Sequence, residues 1–170
     1  GDPQAVANFQ SGSIDLLFIS KPDVQAMPVG RATLIYRSPV YVLVNKADPL
    51  ARQSVLTSKD FEGHTLLVNG GSSPLLKKLQ QKVVKDSRVQ TLNSPNHATT
   101  LINVAAGNAV CLTPGYFKGY TPQISWVPFH TSLSYYDCYL VTSNEEKRTI
   151  VKELISMIKD QVDNLLNAQR

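Results

Sequence analysis

An α/β fold is predicted, and three observations predict it. Short apolar runs of strand type recur along all 170 residues, at Leu16–Ile19, Thr33–Tyr36, Val40–Val44, Thr65–Val68 and Ala109–Leu112. Between several of them lie stretches whose apolar residues repeat at helical spacing. Clusters such as Asn69-Gly70-Gly71-Ser72-Ser73-Pro74 and Thr113-Pro114-Gly115 punctuate the two kinds. Strands alternating with helices imply mostly parallel sheets.

The elements follow in order. Residues 3–10 fit a short helix with Ala5, Val6 and Phe9 as its apolar side, ending near Gly12. Ser13 to Ile19 reads as a buried strand because its apolar run is short and continuous. Thr33–Tyr36 and Val40–Val44 are two strands split by Ser38-Pro39. Asp48-Pro49 opens a loop, and Ser58 to Phe61 makes one helical turn. Thr65–Val68 is the next strand. A helix follows it, with Leu75, Leu76, Leu79 and Val83 on one face and Lys77, Lys78, Lys82 and Lys85 elsewhere. Ser87–Leu92 returns as a strand.

The stretch Ser94–Phe117 is a compact αβ unit. Ser94 is of N-cap type, Pro95 suits the first helical position, and Leu101, Ile102 and Ala105 repeat at helical spacing. Gly107 stops that helix, and Ala109–Leu112 is an apolar strand closed by Thr113-Pro114-Gly115. Ile124–Phe129 and Tyr135–Val141 are further strands. A last helix starts from a capping box, Ser143 with Glu146, and carries Ile150, Leu154, Ile158, Val162 and Leu165.

Composition sets bounds. A 42% hydrophobic and 18% charged chain of this length buries a real core, as one domain or two small lobes. A net charge of +4 is mild, and its one local concentration, Lys77 to Arg88, reads as a solvated helix face rather than a nucleic-acid surface. No apolar run reaches the roughly 20 residues of a membrane span, and Gly1-Asp2-Pro3 does not open a signal peptide. Cys111 and Cys138 sit in apolar runs and read as free buried thiols, with redox sensing by the pair as the alternative. No metal-ligand spacing occurs, and no cofactor is implied.

The sharpest local signal is Asn69 to Pro74. Two glycines permit a tight turn, Ser73 can cap, and a helix start with serine hydroxyls favours an anion. An ordinary capped strand-to-helix turn has the same residues. Ser94-Pro95-Asn96-His97 is a second such start, where His97 either faces a ligand or is a plain surface or core histidine. Nucleophilic catalysis finds no support: there is no G-x-S-x-G, and His64, His97 and His130 have no evident serine or cysteine partner. Asp15 suits a structural ion pair. Tyr116, Phe117, Tyr120, Tyr135 and Tyr136 give the second half an aromatic bias, and Tyr116 and Phe117 follow Pro114 closely enough to line a pocket.

Several of these pieces align in order with one family. Gln10-Ser11-Gly12-Ser13-Ile14-Asp15-Leu16 resembles the L-x-x-G-x-I/L-D segment of LysR-type transcriptional regulators. Tyr41–Val44 followed by Asp48-Pro49-Leu50-Ala51 is similar to their strand and H-P-L-A element. Phe61-Glu62-Gly63 through Asn69 resembles the approach to their effector loop. Val104-Ala105-Ala106-Gly107-Asn108-Ala109 through Pro114 is similar to their V-A-A-G-x-G signature. Ala109 stands where a second glycine is usual and Asp48 where histidine is usual, so those two family contacts do not carry over.

The resemblance implies the family's effector-binding domain, which is like a periplasmic binding protein: two α/β lobes with a ligand cleft between them. It implies a non-enzymatic, cytoplasmic sensor. Residues 1–37 and 137–170 would form lobe I, and 38–136 lobe II. The winged helix-turn-helix would be missing, and lobe I would be incomplete because its first strand–helix–strand unit would be missing too. It would then expose apolar surface for a symmetry partner to cover, in a dimer or tetramer. The cleft would take Asp2 and Ser20 from lobe I, with Asn69, Gly70, Gly71, Ser72, Ser73, His97, Thr113 and Tyr116 from lobe II. Its ligand would be a small, often anionic, metabolite, and DNA would be met only through the missing domain. A transporter's solute-binding protein of the same architecture is the alternative, and a small α/β enzyme a more distant one.

Overall fold

The computed structural model describes residues 3–20, 30–69, 72–115, 119, 121–132 and 136–168. The chain divides into two compact units, residues 1–37 with 137–170, and residues 38–136. Each has its own sheet and core.

The first unit opens with helix α1, Pro3–Gln10. The chain turns back through Gly12, whose φ of 76° suits a residue without Cβ. The expected strand over 13–19 is shorter, Leu17–Ser20 (β1). Its first half is a turn instead, because the Asn8 carbonyl accepts the Ser13 and Ile14 amides at 2.9 and 3.3 Å. Phe18 is also 54% exposed, so β1 is buried on one face only. The sheet order is β1, then β8 (Tyr136–Thr142), then β2 (Arg31–Ser38). Strands β1 and β8 are antiparallel, from Leu17 opposite Val141 to Ser20 opposite Cys138. Phe9, Leu17, Ile19 and Val141 form the core, with Ala5 and Val6 of α1 packed on it.

The last helix, α4, spans Thr149–Ala168. Ser143 and Glu146 do not cap it. Ser143 Oγ accepts the Glu145 amide, and the Glu146 carboxylate is taken by Arg148 (Nε to Oε1, 2.9 Å). Arg148 also donates to Asp15 at 2.6 Å, tying the two loops together. Arg148 holds the Glu146 carboxyl well below the usual range, at about 2. Val151 is buried, whereas Ile150, Leu154, Met157 and Leu165 form an exposed apolar stripe.

The second unit is built on β3 (Val40–Asn45), with β6 (Cys111–Pro114) and β7 (Ile124–Pro128) antiparallel on its two sides. Strands β4 (Thr65–Val68) and β5 (Gln90–Asn93) are parallel. A parallel bridge, Leu66 with Val110, joins β4 to the chain entering β6. The strands therefore run β5-β4-β6-β3-β7. The expectation of mostly parallel sheets holds for β5, β4 and β6, whereas β3 runs antiparallel to both its neighbours, β6 and β7. Helix α2 (Pro74–Asp86) supplies the crossover that the parallel pair β4–β5 needs.

Helices cover both faces. Helix α2, Pro74–Asp86, buries Leu79 and Val83 against Val42, Val44, Leu66 and Leu112. Helix α3, His97–Ala105, buries Val104 against Leu43, Leu67 and Cys111, with Leu101 and Ala105 beside it. Adjacent residues such as Leu66 and Leu67 thus face opposite cores, as a pleated strand requires. Ile102, expected on the apolar side of α3, is 69% exposed. Residues 58–63 form hydrogen-bonded turns rather than a helical turn, and Pro49–Arg52 after Asp48 is a short 3-10 helix.

Candidate functional site

Because β4 and β5 are parallel, their carboxyl ends lie at one edge of the second unit's sheet. Two helix starts follow from it. After β4, Ser72 N–H donates to the Asn69 carbonyl at 2.9 Å, and Ser73 caps α2 by accepting the Leu76 amide at 3.3 Å. Pro74 takes the first helical position, where its missing N–H costs nothing. After β5, the cap of α3 is Asn96, not Ser94. Asn96 Oδ1 accepts the Thr99 amide at 2.9 Å, and the helix begins at His97.

Ser94 has a different task. It is 2% exposed, and its Oγ lies 2.7 Å from Thr100 Oγ1. Its amide donates to the Val68 carbonyl at 2.8 Å, and its carbonyl accepts from Asn69 Nδ2 at 2.7 Å. The loops after β4 and β5 are therefore clamped together by Asn69. The positive ends of two helices meet at this edge, an arrangement that favours negative charge.

Strand β6 runs parallel to β4 through the Val110 bridge, so Thr113 comes to the same edge. Thr113 and Pro114 belong to β6, where a loop was expected. Thr113 is buried, and the chain then passes Gly115, whose amide donates to Ser38 Oγ. A Cβ on Gly115 would stand 2.7 Å from both Ser38 Oγ and Tyr41 Cε2, so glycine is required by space.

Of the expected site residues, Asn69, Ser72, Ser73, His97 and Thr113 share this edge, with His97 exposed at the first helical position. Asp2, Gly70, Gly71 and Tyr116 lie outside the described residues, as do Phe117, Tyr120, Tyr135 and the side chains of Ser20 and Tyr136. Asn96 and Ser94 are the additions. Asn is as good an N-cap as Ser, and Asn96 three residues before Thr99 was the available signal.

Among the described residues no cluster of His, Cys, Asp or Glu could hold a metal. No helix there is long and apolar enough to cross a membrane. Both cysteines are free thiols. Burial pushes Cys111 up to about 12, against an ordinary thiol near ~8.5, and pushes Cys138 up as well. A raised thiol pKa adds stability that is whole below about 8.5 and lost as pH climbs toward 12. Iodoacetamide at neutral pH should therefore leave Cys111 unmodified in the folded protein and modify it in denaturant. Rapid native labelling of Cys111 would contradict its burial.

The two ends of the chain thus form one compact α/β unit and its middle a second, with two helix starts on one edge of the second unit's sheet. No curated protein sequence gives a significant match. The sequence matches the LysR substrate binding domain over residues 1–163, and the chain belongs to that family. It is the effector-binding domain of a LysR-type transcriptional regulator, and this match favours a regulator over a transporter's solute-binding protein.

Solved structures carry the same fold. The reduced OxyR regulatory domain from Pseudomonas aeruginosa aligns with a TM-score of 0.69 at 19% identity, covering 91% of this chain and 76% of that one. The BenM effector-binding domain with its effector benzoate aligns at 0.74 and 18%, covering 98% and 77%. A full-length OxyR from Pseudomonas aeruginosa aligns at 0.71 and 18% over 92% of this chain, which spans 53% of that protein.

Proposed function

We propose that the carboxyl edge of the second unit's sheet is the effector-binding wall of this regulator domain. Asn69, Ser72, Ser73, His97 and Thr113 contribute from the described residues, with Gly70, Gly71 and Tyr116 beside them. Asp2 and Ser20 supply the other wall. On this reading residues 1–37 with 137–170 are lobe I and 38–136 lobe II. The carrying observation is the Asn69 clamp, which holds two positive helix ends side by side. That favours a small anionic metabolite, and the benzoate bound by the BenM domain is of that chemical kind.

The domain binds and does not catalyse. Effector binding changes the angle between the lobes, and through a homodimer or tetramer the setting of a DNA-binding domain carried elsewhere in the regulator. Partner subunits cover the apolar stripe on α4. The regulator is cytoplasmic. A thermal-shift panel of small carboxylates and amino acids tests the site. A ligand at 100 times its Kd stabilises by about 2.7 kcal/mol, and Asn69→Ala and His97→Ala should weaken it at least about tenfold. A hit unaffected by both substitutions would move the site elsewhere.

A further inference from the structure

The first unit encloses a hollow at the end of its first helix. Helix α1 stops at Gln10, and the Asn8 carbonyl then takes the Ser13 and Ile14 amides, folding the chain back on itself. Gly12 lies in that fold, and a Cβ there would meet nothing within 4 Å. The open space is a cavity of about 430 Å³ bounded by the helix end, the turn and the loop after β8. Its size is within the roughly 300–1,000 Å³ of small-molecule sites. Phe9 and Ile14 give it an apolar wall, Phe9 from the unit's core and Ile14 packed on it.

The charge on its other walls has one sign. Asp15 from the turn and Glu146 from the loop line the cavity, and among its described lining residues there is no Lys, Arg or His. Arg148 Nη2, outside the lining, donates to Asp15 Oδ1 at 2.6 Å and to Glu146 Oε2 at 2.5 Å. Two carboxylates against one guanidinium leave a net negative charge. Asp15 Oδ2 has no partner among the described residues. Ser143 Oγ accepts only the Glu145 amide, at 3.2 Å, and keeps a lone pair to spare. The carboxyl end of α1 adds the negative pole of a helix.

We propose that this cavity binds a primary amine with a small apolar body. The ammonium group sits at Asp15, with Ser143 Oγ and the Gln10 side-chain oxygen as further acceptors, and the body lies on Phe9 and Ile14. Other ligand classes fit worse. A carboxylate would meet two like charges, and a neutral apolar molecule would leave Asp15 Oδ2 unpaired. A bare metal ion would find two carboxylates already shared with Arg148, beside an apolar wall. The amine is thus an input separate from the effector wall, which belongs to the other unit and favours anions.

Titration of the 170-residue chain with benzylamine at fixed ionic strength, followed by amide NMR, tests this. The Gly12, Ile14 and Asp15 amides should shift saturably, while Val42 and Leu66 in the second unit's core stay put. Benzyl alcohol, the neutral molecule of nearly the same shape, should bind at least about tenfold more weakly. Asp15→Asn should weaken benzylamine by about the same factor. Gln10 is exposed at the helix end, so its variants keep the fold. Gln10→Lys, which brings a tethered ammonium to the rim, should weaken benzylamine about fivefold, and Gln10→Glu should tighten it. If Asp15→Asn fails to fold by circular dichroism, the two Gln10 variants decide. No saturable shift at the cavity, equal binding of benzyl alcohol, or unchanged affinity in the folded variants would overturn the proposal. No carboxylate enters this titration, so an empty carboxylate panel counts against the effector wall and not against the amine cavity.

Discussion

Phe61→Ala should destabilise the second unit by about 3–5 kcal/mol. Phe61 is fully buried and stands edge-on to Phe129, ring centroids 6.0 Å apart and planes at 79°. It lies in the turns over 58–63 and reaches the core that α2 shares with β3 and β6. Alanine there removes an aromatic pair and leaves a cavity that Leu79, Val83 and their neighbours on regular elements cannot close. Urea unfolding measures the loss, and a change below about 1 kcal/mol would mean the core collapses around the gap far more readily than close packing allows.

Gly115→Ala should cost about 2–5 kcal/mol, combining overpacking with a lost buried hydrogen bond. The added methyl meets Ser38 Oγ and the Tyr41 ring at once. Ser38 is fully buried and cannot swing into solvent, so relief would have to come from moving backbone. The double substitution Ser38→Ala with Gly115→Ala separates the two clashes. The Tyr41 contact persists in it and the serine contact does not, so the two costs should fail to add. Strict additivity would show that Ser38 and Gly115 are not coupled.

The helix starts show what sequence can and cannot deliver. Ser73-Pro74 was legible because cap and first-turn proline are adjacent and the cap acts locally. Ser94-Pro95 has the same look, yet Ser94 is drawn inward by Thr100 and by the loop after β4, leaving Asn96 to cap. That choice depends on a neighbour 25 residues away. Ser143 and Glu146 fail similarly, since Arg148 competes for the glutamate and is itself steered by Asp15 from the other end of the chain. Local chemistry was readable from Pro74 and Gly107; competition from distant residues was not.

The same limit explains β1 and α4. A continuous apolar run from Ile14 to Ile19 reads as a strand, but capture of the Ser13 and Ile14 amides by the Asn8 carbonyl uses its first half for a turn. On α4 the apolar residues span a broad arc, and periodicity alone does not say which part packs. Val151 does, and Ile150 beside it does not. For the candidate site, the Gly-Gly-Ser-Ser segment and His97 were visible as helix-start residues. Their meeting at one sheet edge follows from the parallel pairing of β4 with β5 and needs the fold.

Strand β8 lies between β1 and β2, yet it is made about a hundred residues after β2. During synthesis the first unit can hold no finished sheet until residue 142 has emerged, whereas the second unit is one continuous segment, complete by residue 136. The later-starting half should thus mature first, with β1 and β2 each lacking the strand that comes to lie between them. Closure of the first unit is then a long-loop event, slow by contact order, and the last to occur.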